Sequence, residues 1–112
     1  MAARHSEPAA PAGAELVAKG EKYLYGHGAP KNCQQALTYF KAAAKEQNPS
    51  AMSQMGALYA TGVCVPFDRA QAYQWFSRAL HEDRSNTYLE HNLNMLWRDM
   101  SADEKARATR RR

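Results

Sequence analysis

The sequence has too few cysteines for a fold built on disulfides. Its 112 residues contain two, Cys33 and Cys64, and these do not form a C-x-x-C pair. Small disulfide-dependent domains carry more cysteines than this. A tetrahedral zinc site needs about four nitrogen or sulfur ligands, and His27 with the two cysteines would supply only three. The count therefore favours a reduced thiol pair, as in a cytosolic protein, and predicts no metal site.

Long apolar runs are missing as well. No stretch approaches the roughly 18 to 20 apolar residues that a membrane-spanning helix needs. The opening MAARHSEPAAPAG lacks the apolar centre of a secretory signal peptide, and its alanines and prolines predict a disordered lead-in over residues 1–14. We therefore expect no membrane span. A cytoplasmic location is expected if the chain is complete, and a periplasmic one if a signal peptide has been removed.

Positive charge is scarce outside the C-terminal end. The net charge of +4 falls to +1 without Arg110, Arg111 and Arg112. A basic tail is a weaker electrostatic footprint than a basic face, so the composition disfavours nucleic-acid binding. One alternative stays open, a weak nucleic-acid or anionic-surface binder that uses Arg107 and this tail.

Catalytic constellations are absent from the sequence. The histidine and two carboxylates at 81–83 are typical of a polar helix end, where a protonated histidine favours the negative pole. The YGHG segment around His27 lacks the strand-then-helix context of a phosphate-binding loop. Asp103 and Glu104 fit carboxylates at a helix start. The sequence therefore predicts a protein that is not an enzyme and has no cofactor and no small-molecule substrate.

What the sequence does contain is an internal repeat with a period of 36 residues. Aligning residues 15–50 with 51–86 makes nine positions identical, where chance gives roughly two. Apolar residues recur at helical spacing on both sides of a glycine- and proline-containing loop, so each unit reads as two helices. We predict an all-α solenoid of helical hairpins: two full repeats over these ranges, capping helices over 87–109 and a basic tail over 110–112.

Each predicted loop carries the residues that end one helix and begin the next. Gly62 suits the left-handed position just beyond a helix end. Pro66 prevents the helix from resuming, and Asp68 can accept hydrogen bonds from the first N–H groups of the following helix. The corresponding residues of the first unit are Gly26, Pro30 and Asn32.

Gly20 and Gly56 stand inside predicted helices, where glycine costs roughly 1 kcal/mol relative to alanine. Small residues on the partner helix would let the two axes approach closely, and the close packing would offset that cost. We predict such packing against Ala36 and Ala43 in the first unit and against Ala72 and Ala79 in the second.

These residues resemble the Sel-one-like repeats, a subgroup of the tetratricopeptide-type helical repeats. Residues 55–79, MGALYATGVCVPFDRAQAYQWFSRA, follow the family pattern with Met55 for a leucine and Cys64 for a glycine. Residues 19–43 follow it with Lys19 for the leucine and Asn32 for the aspartate. The repeat signature falls on Gly20, Tyr23, Gly26, Pro30, Ala36, Phe40, Ala43, Gly56, Tyr59, Gly62, Pro66, Asp68, Ala72, Trp75, Phe76 and Ala79.

The C-terminal segment is similar to the cap that closes bacterial members of this family. It reads NMLWRDMSADEKARA over residues 94–108, and Ser101 with Glu104 has the spacing of a capping box, which predicts a short last helix. Terminal repeats need caps because each repeat buries its apolar face only against neighbours. The stripe that can cover the open end consists of Leu89, Leu93, Leu96 and Met100.

The resemblance implies a scaffold that binds other proteins rather than an enzyme. In the tetratricopeptide arrangement the first helix of each hairpin lines a concave groove, so we expect an adaptor for a peptide or protein segment. A regulatory or inhibitory module of a bacterial enzyme stays open as an alternative. The groove-facing positions implied by the resemblance are Val17, Glu21, Leu24, Tyr25, Ser53, Ala57, Ala60, Thr61, Leu93 and Trp97.

Overall fold

A computed structural model describes residues 11–110 and contains six α-helices and no strand over that range. Their order is α1 (Ala14–Tyr25), α2 (Cys33–Lys45), α3 (Pro49–Thr61), α4 (Arg69–Glu82), α5 (Thr87–Asp99) and α6 (Ala102–Thr109). The pairs α1–α2 and α3–α4 form two hairpins, which stack through α2 and α3, while α4 carries both α5 and α6. The predicted all-α repeat solenoid is confirmed.

The start of the described chain is tied to the N-cap of α3. Residues 1–10 of the predicted lead-in lie outside the described residues, but residues 11–13 lead through a turn into α1. The side-chain amide of Asn48 donates to the Ala12 carbonyl at 2.9 Å, and Asn48 is itself the N-cap of α3. The segment from Pro11 to Ala14, which the sequence assigned to the lead-in, is therefore a turn and the first residue of α1.

The loop residues take the roles that their chemistry predicts. Gly26 and Gly62 follow α1 and α3 with φ of 75° and 72°, in the left-handed region. Asn32 accepts a hydrogen bond from the Gln35 N–H at 3.0 Å, and Asp68 accepts one from Gln71 at 3.1 Å. The turns that shape each hairpin are thus local properties of the sequence.

The core glycines face aromatic rings rather than the predicted alanines. A Cβ placed on Gly20 would lie 2.6 Å from Cε1 of Phe40, and one on Gly56 would lie 3.0 Å from Cδ1 of Phe76. Close packing at the two glycines is confirmed, but its partner was wrongly assigned. The four alanines named above are fully buried in the same core, and each phenylalanine ring fills the space that its glycine leaves open.

Cys33 and Cys64 form a disulfide, so the predicted reduced thiol pair is wrong. Cys33 is the first residue of α2, and Cys64 lies in the loop between α3 and α4, with 5.3 Å between the Cα atoms. The bond therefore joins the first repeat to the second. A single bond between two repeats needs only two cysteines, so the low cysteine count did not exclude it.

Cys64 adopts a backbone conformation that is unusual for its residue type. Its φ is 67°, and the equivalent position of the first repeat is Gly28, with φ of 84°. A residue with a Cβ pays roughly 1 to 2 kcal/mol in this left-handed region. The family's glycine is thus replaced by a residue that the disulfide holds in the same conformation.

Helix α6 attaches to the start of α4 through two ion pairs and a small apolar cluster of Ala70, Met100 and Ala108. The predicted capping box of Ser101 and Glu104 is confirmed, with reciprocal bonds of 2.8 and 3.1 Å. Arg69 pairs with Glu104 at 3.2 Å, and Arg107 lies 3.5 Å from Asp68. The Ser101 N–H and then the Arg69 side chain lower the pKa of Glu104 below its ordinary value.

Candidate binding groove

Two adjoining cavities follow α3 on the side where it lies between the end of α1 and helix α5. Both are lined by Ala57 and Tyr88, so they adjoin, and together they are here called the α3 groove. The first cavity, of about 480 Å³, is lined by Tyr25, Pro49, Ser50, Ser53, Gln54, Ala57, Asp83, Asn86, Tyr88 and Leu89. The second, of about 280 Å³, is lined by Ala57, Ala60, Thr61, Phe76, Tyr88, Asn92, Met95, Leu96 and Asp99.

Five of the ten predicted groove residues line these cavities. Four belong to α3, where Ser53 lies in the first cavity, Ala60 and Thr61 lie in the second, and Ala57 is shared. The fifth is Tyr25 at the end of α1. The groove floor is therefore supplied by one face of the third helix.

The other α1 positions lie beneath or beside the groove. Val17 is buried in the core, and Leu24 is half-buried against it. Glu21 does not line either cavity, but it accepts a hydrogen bond of 2.8 Å from Gln54, which does. Glu21 thus positions a groove side chain instead of forming the surface.

The two predicted cap positions point elsewhere because α5 is rotated relative to α3. Leu93 is buried in the core. The ring of Trp97 lies 5.3 Å from that of Tyr73 on α4, and the Lys105 ammonium group lies 4.9 Å from its centre. Trp97 therefore packs between α4 and α6. The apolar stripe of α5 sets this rotation by turning Leu89 and Leu93 into the core.

Four residues of α5 that the sequence argument missed line the groove instead. They stand one position before each member of the predicted apolar stripe and so form the adjacent helix face. Tyr88 and Met95 are strongly exposed, at 64% and 41%. The apolar stripe could have identified this face, because each groove residue directly precedes a stripe residue. The groove residues of α5 are Tyr88, Asn92, Met95 and Asp99.

The groove has an acidic character although the chain is basic overall. Asp83 lines the first cavity and Asp99 the second, and no lysine or arginine of the described chain lines either one. Arg98 contacts the groove from its edge, where its guanidinium donates to the Met95 sulfur at 3.4 Å.

The groove presents surface that is suited to binding. Within residues 11–110 there is no group of three or more histidine, cysteine, aspartate or glutamate side chains that could hold a metal ion. None of the helices in that range has the length and apolarity of a membrane span. What the groove offers is exposed aromatic and thioether surface beside carboxylate and amide groups.

Comparison with known proteins supports the repeat assignment. The family model described as the Sel1 repeat matches residues 14–48 and 49–82. A search of curated protein sequences gives no match. Among solved structures, the chain is similar to a protective antigen of uropathogenic Escherichia coli strains that displays an SLR fold, with 30% identity and a TM-score of 0.79. The alignment covers 88% of this chain and 21% of the antigen, so the chain spans about a fifth of that protein's length.

Proposed function

This chain belongs to the Sel1 repeat family, and we propose that it is a non-enzymatic adaptor that holds a peptide or protein segment in the α3 groove. Repeat proteins of this type stack hairpins so that their first helices form an extended binding surface. The bound segment would lie along α3, between Tyr25 and the exposed face of α5.

The exposed apolar surface of the groove is the observation that carries this proposal. Tyr25, Tyr88 and Met95 have exposed fractions of 51%, 64% and 41%, and all three line the two cavities. Large contiguous patches of exposed apolar surface are rare on monomeric proteins, and those that occur often mark binding sites. Tyrosine is among the residue types enriched at the energetic centres of interfaces, so the two tyrosines are the proposed anchors.

The disulfide supports an oxidising location for this adaptor. Cys33 is exposed and Cys64 is half-exposed, so the bond lies close to the protein surface. Disulfides of this kind persist in secreted and periplasmic proteins and are rare in the cytosol. We therefore favour the periplasmic or extracellular side over the cytoplasmic one.

The basic tail is the weaker candidate for partner binding. Arg107, which the sequence argument grouped with the tail, lies 3.5 Å from Asp68 and so holds α6 on α4. Regulation of a bacterial enzyme would be a special case of the adaptor function, in which the bound segment belongs to that enzyme.

Affinity capture from the source lysate tests the adaptor proposal. Wild type is compared with a Tyr25→Ala/Tyr88→Ala variant and with Phe67→Ala, a matched control because Phe67 is 56% exposed but lines neither groove cavity. A chain ending at Thr109 tests the tail. We expect partners that persist at roughly 0.5 M salt and are lost only from the double variant. Partners that depend on the tail and dissociate with salt would contradict the proposal.

A further inference from the structure

The first cavity of the α3 groove places two aromatic rings beside a carboxylate. Tyr25 at the end of α1 and Tyr88 at the start of α5 line it, and Asp83 lies between α4 and α5 on the same cavity. Both rings are more than half exposed. The face of an aromatic ring attracts a cation, and a carboxylate forms charge-assisted hydrogen bonds with one.

The N-cap of α5 holds the Asp83 carboxylate in place. The Asn86 side-chain amide donates to Asp83 Oδ2 at 3.0 Å, while the Asn86 side-chain oxygen accepts from the Leu89 N–H at 3.2 Å. The other carboxylate oxygen, Oδ1, has no hydrogen-bond partner within the part of the chain that the structure describes. Asp83 is thus oriented before any ligand arrives and keeps one oxygen available to it.

A second carboxylate strengthens the negative character of this end. Gln54 lines the cavity and donates to Glu21 Oε2 at 2.8 Å, which fixes its amide and leaves its carbonyl oxygen as an acceptor. Neither Asp83 nor Glu21 forms an ion pair among residues 11–110. The cavity therefore offers acceptors and aromatic faces without any lysine or arginine to neutralise them.

We infer that the first cavity receives a cationic side chain, arginine or lysine, from the segment that the groove binds. This inference rests on the adaptor function proposed above and specifies its partner. The neighbouring cavity is lined by Ala57, Ala60, Met95 and Leu96 and would receive an apolar side chain of the same segment. The motif recognised is therefore a basic residue followed or preceded by an apolar one.

An acidic segment fits the same surface poorly. The carboxylate of such a segment would approach the Asp83 carboxylate, and like charges repel. No lysine or arginine lines the first cavity to offset that repulsion. Arg98 donates to the sulfur of Met95, which lines the second cavity and not the first. The charge distribution thus selects a basic partner residue at the first cavity.

Titration with capped pentapeptides tests this inference. The probes are acetyl-Leu-Ala-X-Ala-Leu-amides in which X is arginine, lysine, norleucine or glutamate. Binding is measured by calorimetry or by changes in the amide chemical shifts of the protein. Cation–π and exposed carboxylate contacts together predict that the arginine and lysine peptides bind about tenfold more tightly than the norleucine peptide. The glutamate peptide should bind most weakly.

Three variants distinguish an effect of the first cavity from an effect of the general surface charge. Asp83→Asn preserves the shape of the side chain and should reduce the preference for a basic residue by several fold. Glu90→Gln removes the same charge from an exposed residue of α5 that lines neither cavity, and it should retain the preference. Tyr88→Leu provides a second test at an exposed position and should reduce the preference by several fold.

Each contrary result has a distinct meaning. Equal binding of the norleucine and arginine peptides, lost from a Tyr25→Ala/Tyr88→Ala variant, would overturn the cationic inference but leave the groove as a binding site. Failure of every peptide to bind would also overturn it, and the lysate capture would then judge the adaptor function separately. Self-association that disappears in a chain ending at Thr109 would replace the separate partner with the tail of a second copy.

Discussion

The two repeats and the last helix, α6, are held in place by different means. The repeats share one internal design, in which a glycine on the first helix receives a phenylalanine ring from the second, and a disulfide joins the two units. Helix α5 still packs Leu89 and Leu93 into the core, but α6 has only a small apolar contact around Met100 and Ala108 and two ion pairs to the start of α4. The repeats should therefore respond to changes in packing and covalent structure, and α6 to pH and salt.

Among the changes that test this comparison, removal of the disulfide should have the largest effect on the free energy of unfolding. Closing a loop of 31 residues corresponds to about 3 to 4 kcal/mol in the chain-entropy treatment. Cys33→Ser/Cys64→Ser should lower the free energy of unfolding by about that amount, measured by urea denaturation. Reductant should destabilise wild type to a similar extent and leave the variant unchanged. A wild type insensitive to reductant would contradict the stapling role of this bond.

A related variant measures separately what the left-handed backbone at position 64 contributes to stability. Cys33→Ser/Cys64→Gly also lacks the disulfide, but glycine accepts the left-handed conformation that Cys64 adopts. We expect it to be about 1 kcal/mol more stable than the double serine variant. Equal stability of the two variants would mean that the loop relaxes once the disulfide is absent.

Filling the space opposite Phe76 should have the next largest effect. Gly56→Leu places a branched side chain where a Cβ alone would lie 3.0 Å from the ring, and overpacking of this kind costs about 3 kcal/mol. Thermal or urea unfolding measures the loss. Ser50→Leu introduces the same side chain at an exposed position of α3 and should change stability little. A Gly56→Leu protein as stable as wild type would refute the ring-against-glycine account.

Acidification should loosen the docking of α6 while the repeats stay folded. The lowered pKa of Glu104 means that its contribution is fully present above its ordinary value of 4.5 and is lost as pH falls through the lower value of the folded state. Trp97 fluorescence reports on this, since Lys105 of α6 lies over its ring. In a Trp75→Phe background, Trp97 is the one remaining tryptophan of the sequence.

The control for this titration is Glu104→Gln. We expect the fluorescence change of the parent below about pH 4.5 to be absent or much smaller in this variant, whose side chain does not titrate. Helical circular dichroism should fall only slightly over the same range if the repeats remain folded. An identical titration in both proteins would show that Glu104 does not control the docking of α6.

The repeat architecture was predictable because its determinants are local. Gly62 and Asp68 specify a helix end and a helix start through backbone geometry and capping, so their spacing in the sequence was sufficient. The recurrence of these signals after 36 residues then identified the hairpins. Even the close packing at Gly20 and Gly56 could be inferred, although the ring that causes it could not.

The features that were missed depend on how separate elements meet. The cysteines pair between the start of α2 and the loop that follows α3, and no spacing rule in the sequence indicates that these two places are adjacent. Trp97 occupies the position in the cap that corresponds to groove residue Thr61 in the second repeat, but α5 turns it toward α4. That rotation depends on packing against α4, which differs from packing between full repeats, and it brings Tyr88 into the groove.

Site-specific photo-cross-linking tests the central claim, that the α3 groove holds a protein partner. A photoreactive phenylalanine analogue replaces Tyr88 in one variant and Phe67 in another, both strongly exposed aromatic residues of which Tyr88 alone lines the groove. We predict a discrete partner cross-linked from position 88 and not from position 67, attached at a segment that carries a basic and an apolar residue. Cross-links from position 67 alone, or equally from both positions, would contradict the claim.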